Sequence, residues 1–226
     1  MKPWKLIDRS EIPNNGGELR LYRRAEEYSI MIVGGGELMN TRMHGSEDAL
    51  AELGCRHLQG EPRPRILIGG LGMGFTLAAA LKQLGDTAEV VVAELVPAVV
   101  QWNRDHLGQY AGQPLADPRS TVSIGDVAAQ IRKGRSAFDA ILLDVDNGPE
   151  GLTHRENDWL YSTKGLIAAY AALRPQGVLA VWSAGPEHTF SERLRQVGFL
   201  VEEHQVRAHG SGKGARHIIW LASRGA

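Results

Sequence analysis

Nothing constrains this chain more than Arg65-Ile-Leu-Ile-Gly-Gly-Leu-Gly-Met-Gly-Phe-Thr76, with Glu94 twenty residues after its last glycine at the end of Ala88-Glu-Val-Val-Val-Ala-Glu94. An apolar, β-branched run that breaks into glycines and then into Leu77-Ala-Ala-Ala-Leu-Lys predicts strand, tight turn and helix, the place where an α/β sheet takes a nucleotide-like ligand. Glycine suits the turn because a side chain would block close approach of backbone to ligand, and because the turn calls for positive φ. The spacing departs from the dinucleotide fingerprint G-x-G-x-x-G: after Gly70-x-Gly72 the third required glycine falls on Phe75, and Gly74 makes the pattern Gly70-x-Gly72-x-Gly74.

From this turn onward strands and helices alternate. Strands are predicted over 65–68, 89–93, 121–124, 137–143 and 177–182, with helices over 76–83, 97–106, 127–132 and 164–173, a pattern that implies a parallel, doubly wound sheet. Two further strand-like runs, Leu200-Val-Glu-Glu-His-Gln-Val-Arg207 and His217-Ile-Ile-Trp-Leu-Ala-Ser223, have only a glycine-rich segment between them. No helix fits there, so they are expected to pair as an antiparallel hairpin. Before the glycine turn, Glu18-Leu-Arg-Leu-Tyr-Arg alternates, Tyr28-Ser-Ile-Met-Ile-Val33 is strand-like, and Gly34-Gly-Gly36 separates it from Glu37-Leu-Met-Asn-Thr-Arg42. That segment predicts a small antiparallel sheet. A helix opens near Ser46, read as its N-cap. The expected organisation is an N-terminal β-hairpin region over 1–44 and a ligand-binding domain over 45–226, with a seven-stranded, mostly parallel sheet finished by the hairpin, as in the class I methyltransferase-like fold.

Charge narrows the partners. Twenty-five basic and 26 acidic residues intermix to a formal charge of -1, which leaves no footprint for duplex nucleic acid or an anionic membrane and makes a small molecule the expected partner. The lone Cys55 excludes an internal disulfide and a multi-cysteine metal site, and it reads as core or helix surface rather than as a nucleophile. No signal peptide and no run of about 18 apolar residues is seen, so a cytoplasmic location is expected. His204, His209 and His217 are spaced so that three nitrogens do not share a face, and no metal is expected. The N-terminal hairpins offer a surface for a homodimer, though no periodic stripe marks one.

Four segments fall in the order an adenosyl ligand requires. The G-x-G-x-G spacing resembles that of S-adenosylmethionine-dependent transferases, with Gly70, Gly72 and Gly74 beside the amino acid or aminopropyl portion. Glu94 ends the next strand where it can accept hydrogen bonds from both ribose hydroxyls. Ile124, Gly125 and Asp126 follow: an acid there can accept from the adenine amino group while Ile124 packs on the ring, and Asp126 is equally suited to cap the following helix. Last, Phe138-Asp-Ala-Ile-Leu-Leu-Asp-Val-Asp-Asn-Gly-Pro149 delivers Asp144, Asp146 and Asn147 to the carboxyl edge of the sheet, where a carboxylate can orient an amine and take its proton. Turn chemistry accounts for Asn147 and Gly148, but not for Asp144 closing the strand.

These segments, with Trp159-Leu-Tyr161 and Leu173-Arg-Pro-Gln-Gly-Val178, resemble the spermidine synthase family of polyamine aminopropyltransferases over roughly residues 18–182. The resemblance implies that Asp144 is the catalytic aspartate, Glu94 the ribose ligand and Asp126 the adenine ligand, and that Tyr161 matches a tyrosine following the catalytic loop, whose second acid here is Asp146. It implies S-adenosylmethionine, or its decarboxylated form, as donor. Three features depart from the family. Its turn reads G-G-G-D-G-G, and the aspartate's place is read here as Gly72; its Tyr-His-Glu set has no counterpart in Leu38-Met-Asn-Thr-Arg-Met-His-Gly-Ser-Glu-Asp-Ala-Leu50; and the loop after Asp144 is shortened. The fold and adenosyl site carry over, whereas polyamine specificity does not. The expected function is transfer of a methyl or aminopropyl group to a small nucleophile, with ligand binding without turnover as the alternative; a dinucleotide-dependent oxidoreductase is disfavoured by the glycine spacing. Arg42, His44 and Glu47 could read the acceptor but are taken as surface charge, the basic loop over 207–216 as a solvated turn rather than an anion clamp, and Trp182 and Trp220 as packing for the sheet.

Overall fold

The computed structural model describes residues 2–14, 16–145, 158–208 and 214–226. Four antiparallel strands come first: β1 (Lys5–Glu11), β2 (Glu18–Arg24), β3 (Glu27–Ile32) and β4 (Gly36–Asn40), paired in chain order. Alternation in β2 turns Leu19 and Leu21 inward and leaves Arg20 and Arg24 outside. These strands sit where the sequence predicts them, except β1. Its residues are mostly exposed and carry no alternation, so only pairing with β2 identifies it as a strand.

Helix α1 (Gly45–Cys55) then leads into β5 (Arg65–Gly69), α2 (Phe75–Gln83), β6 (Glu89–Glu94), α3 (Pro97–Trp102), β7 (Ser120–Ile124), α4 (Val127–Lys133), β8 (Phe138–Leu143), α5 (Asp158–Tyr161), α6 (Thr163–Ala172), β9 (Leu173–Ser183), α7 (His188–Val197), β10 (Leu200–Arg207) and β11 (Arg216–Ser223). The second sheet runs β10-β11-β9-β8-β5-β6-β7. Its pairs are parallel from β9 to β7, and β11 lies antiparallel between β9 and β10. This is the expected seven-stranded sheet with its terminal hairpin. The strand order reverses between β5 and β8, so the ends of these two strands open the crevice in which doubly wound sheets hold ligands.

Three local differences have physical causes. Ser46 is not the cap of α1: His44 stands at that position, without a side-chain cap bond, and the Ser46 hydroxyl is engaged sideways. Leu173 belongs to β9, where it pairs with Phe138, rather than to the preceding helix. Helix α7 was not anticipated, although Phe190 and Leu194 are fully buried on one face of it. The core forms two clusters, one on each face of the large sheet, and the first includes Leu19, Leu21, Tyr28 and Ile30 of the small sheet. The small sheet is thus fastened to the large one through a shared core. Cys55 lies inside it, where burial pushes the thiol up to about 12 and leaves it inert. Among the described residues, no helix is long and apolar enough to cross a membrane.

Candidate functional site

A cavity of about 470 Å³ opens at the carboxyl ends of β5, β6 and β8. Its floor is Gly70, Gly72, Glu94, Gly125, Asp126 and Asp144, all drawn from the segments the sequence singles out. Its roof comes from the small sheet and is mostly apolar, through Ile12, Leu19, Ile30, Ile32, Leu38 and Met39, with Glu37 and Asn40 among them. A third wall holds Trp182, Ala184, Ala208, Ala215 and His217.

The glycine turn is built by positive φ at Gly70, Gly72 and Gly74, which are +87°, +52° and +84°. At Gly70 the need for glycine lies inside the protein: a Cβ there would strike the Asp144 carbonyl oxygen. At Gly72 a Cβ would come 2.5 Å from Met39 Cε, so the thioether of the roof fills the space a side chain would take. Counting from the glycines, the aspartate of G-G-G-D-G-G can be matched to Gly72 or to the buried Met73; neither is an acid, and this turn supplies no carboxylate. Asn103, in a π-helical turn after α3 and only 1% exposed, pins the turn by donating to the Gly72 carbonyl at 2.7 Å and to the Val99 carbonyl at 2.9 Å. An asparagine in a helical run gives little sequence signal of such a role, though π-turns gather at functional sites.

Glu94 is 7% exposed, and both its oxygens already accept backbone hydrogen bonds, Oε2 from Leu71 at 2.9 Å and Oε1 from Val96 at 2.8 Å. Each oxygen keeps a second lone pair, so two hydroxyls can still be received. Burial pushes this carboxyl above its ordinary range, and the backbone donors oppose the push. Asp126 does cap α4, accepting from Ala128 at 2.7 Å, and it lines the cavity as well, so the two readings of it are compatible. Beside it, a Cβ on Gly125 would meet nothing within 4 Å, which leaves open space there. Ile124 is 53% exposed and is not among the side chains lining the cavity.

Asp144 accepts the Thr76 hydroxyl at 2.5 Å, and its amide donates to the Gly69 carbonyl at 3.0 Å. Burial beneath the apolar roof pushes its carboxyl up to about 6, opposed by the Thr76 donor. Asp146 and Asn147 lie outside the described residues. Tyr161 is not brought to the cavity: it is 3% exposed, packs edge-on against Phe190, and donates its hydroxyl to the Val145 carbonyl at 3.2 Å. It holds the chain next to Asp144 rather than facing a ligand.

Glu47 overturns the surface-charge reading. It lines the cavity, accepts the Ser46 hydroxyl at 2.7 Å, and is pushed up to about 7, first by burial and then by the charge of Asp144. Of its neighbours in the sequence, His44 lies flat on Phe75 at 4.2 Å between ring centroids and pairs with Asp48 at 2.8 Å, while Arg42 stays exposed. Trp220 packs in the core as expected, but Trp182 also lines the cavity, edge-on to His217 with ring centroids 4.7 Å apart and its indole N–H without a partner among the described residues. Five acidic residues therefore line one cavity, Glu37, Glu47, Glu94, Asp126 and Asp144, with the Glu37 carboxylate held by Ser29 and Asn40, and among the described residues no lysine or arginine lines it. No group of three His, Cys, Asp or Glu among the described residues is arranged to hold a metal ion.

Comparison with known proteins places this geometry in context. Residues 18–194 match the spermine/spermidine synthase domain. The chain is 32% identical over 125 residues to polyamine aminopropyltransferase 2 of Pseudomonas aeruginosa, covering 54% of this chain and 33% of that protein. It is 29% identical over 150 residues to a polyamine aminopropyltransferase of Mycobacterium tuberculosis, covering 62% of this chain and 28% of that protein. The chain thus spans about a third of the length of these curated relatives. Among solved structures, spermidine synthase from Thermotoga maritima superposes with a TM-score of 0.75 at 20% identity, over 97% of this chain and 72% of that one. A spermidine synthase in complex with the transition state analogue AdoDATO superposes with a TM-score of 0.73 at 21% identity, over the same shares.

Proposed function

Because the chain belongs to the spermine/spermidine synthase family, we propose that it transfers an aminopropyl group from decarboxylated S-adenosylmethionine to a primary amine. The observation that carries this reading is the acidic lining of the cavity, five acidic residues with no lysine or arginine among the described lining residues. Under an apolar roof such a site favours cations strongly, because opposite charges attract more in a low dielectric. The decarboxylated donor brings a sulfonium and an ammonium, and the acceptor amine brings another positive charge. S-adenosylmethionine itself would carry its carboxylate into a cavity with no lysine or arginine among its described lining residues to receive it. This argues for aminopropyl over methyl transfer, as do the names of the relatives, and it outweighs the missing turn aspartate.

The residues divide the work. Glu94 takes the ribose hydroxyls on its free lone pairs, and Asp126 with Gly125 takes the adenine. Gly70, Gly72 and Gly74 let the backbone approach the donor's reactive end. Asp144 orients the incoming amine and accepts its proton, with Thr76 holding the carboxylate and Tyr161 holding the adjoining chain. Asp146 is the next acid along and the natural second candidate.

The test incubates the protein with decarboxylated S-adenosylmethionine and a panel of primary amines, and separately with S-adenosylmethionine and the same panel. Methylthioadenosine is expected from the first series, with 1,4-diaminobutane a poor acceptor because the family's turn aspartate and Tyr-His-Glu set are missing. S-adenosylhomocysteine from the second series would overturn the reading in favour of methyl transfer. Donor binding without product from any amine would overturn it in favour of a non-catalytic binding protein.

A further inference from the structure

Ser46 is 1% exposed, and its hydroxyl stands between Glu47 Oε2 at 2.7 Å and His217 Nδ1 at 2.9 Å. When Glu47 is ionised its carboxylate can only accept, so the single hydroxyl proton goes to Glu47 and a hydroxyl lone pair is left for His217. In that form the imidazole carries its proton on Nδ1. Burial lowers the ring's proton affinity and keeps it neutral. The result is a one-way chain in which His217 donates to Ser46 and Ser46 to Glu47, joining β11 to the first turn of α1. Across the cavity Thr76 donates to Asp144 in the same way. The groups that bear electrostatically on Glu47 are Asp48 on its own helix, which is paired with His44, and Asp144 at the end of β8.

We propose that Glu47 is the second proton-handling group of the reaction centre, acting as a pair with Asp144 on the acceptor amine, and that Ser46 and His217 are the residues that position it. The proposal rests on the aminopropyl reading above. In the step, the acceptor's ammonium gives one proton to the carboxylate pair. The freed nitrogen lone pair forms a bond to the carbon attached to the sulfonium, the carbon–sulfur bond breaks, and its electrons neutralise the sulfur. A secondary ammonium and a neutral thioether leave, and the pair returns its proton to water. Glu47 also supplies an acid where the family's Tyr-His-Glu set is missing.

Three measurements test this. Side-chain carboxyl ¹³C NMR should show Glu47 and Asp144 titrating as one pair, so that Asp144→Asn lowers the Glu47 midpoint and His217→Phe raises it. Calorimetry of 1,4-diaminobutane and butylamine on protein saturated with methylthioadenosine should show at least tenfold weaker amine binding in Glu47→Gln, with methylthioadenosine affinity unchanged. Turnover by Glu47→Gln should fall about 10²–10⁴-fold, as loss of a general base does, with His217→Phe reproducing part of the loss. A Glu47 midpoint indifferent to Asp144→Asn, or amine binding indifferent to Glu47→Gln, would overturn the proposal. Absence of methylthioadenosine formation by the unmodified protein would instead count against the aminopropyl reading, since the NMR titration and the amine binding do not depend on turnover.

Discussion

Neutralising Glu47 should make the folded protein more stable above neutral pH. In the fold this carboxyl is raised from 4.5 to about 7 by burial and by Asp144. At 1.36 kcal/mol per unit, a shift of about 2.5 units corresponds to about 3.4 kcal/mol. Part of that repulsion is shared with Asp144, so Glu47→Gln is expected to recover about 2–3 kcal/mol. The sign follows from linkage: the fold binds this proton more tightly than the unfolded chain does, so the contribution is intact below about pH 4.5 and is lost as pH rises through about 7. Glutamine cannot ionise and escapes the loss, while its amide oxygen can still accept from Ser46. For a chain of this length 1 kcal/mol moves Tm by about 2–4 °C, so at pH 8 the variant should melt about 4–12 °C higher. At pH 4, where both forms are neutral, the difference should vanish. Scanning calorimetry of both proteins at pH 4, 6 and 8 makes the comparison. A variant no more stable at pH 8, or equally stabilised at pH 4, would show that Glu47 carries no charge penalty and would refute the account of the cavity as a low-dielectric acidic site.

Two further substitutions separate donor binding from chemistry. Asp144→Asn keeps volume and should leave methylthioadenosine affinity nearly intact by calorimetry while the rate falls about 10²–10⁴-fold; equal loss of both would reduce Asp144 to a strand cap. Glu94→Ala should weaken adenosyl binding by roughly 1.5–3 kcal/mol and also lower stability in denaturant, because the buried amides of Leu71 and Val96 lose their acceptor, at about 1–3 kcal/mol for each donor stranded. Unchanged affinity in that variant would remove the ribose assignment.

How far the molecule could be read beforehand depended on the range over which each signal acts. The glycine turn, the buried strands and the terminal hairpin are written locally, in periodicity and in a connection too short for a helix. Helix α7 was missed although its signal is local, since Phe190, Leu194 and Val197 recur at helical spacing in a polar run. Strand β1 was not, because an exposed strand with no apolar face has only its partner to define it. The cavity floor was legible because each residue sits at the end of a strand. The part beneath the small sheet was not: Glu47 looked like one charge among several on the start of a helix, and it becomes an interior acid only when the small sheet roofs the cavity. Asn103 and His217 escaped for the same reason, as each acts on a residue far away in the chain.

The contact between Ser46 and His217 spans 171 positions and reaches a strand that is threaded between β9 and β10 rather than added at an edge. Loop-closure entropy makes such distant pairings slow to form. The floor of the cavity is drawn from residues 70–144, while the wall that fixes Glu47 comes from β11. A change that loosens β11 should therefore disturb the setting of Glu47 and leave the glycine turn and Glu94, whose partners are local, in place.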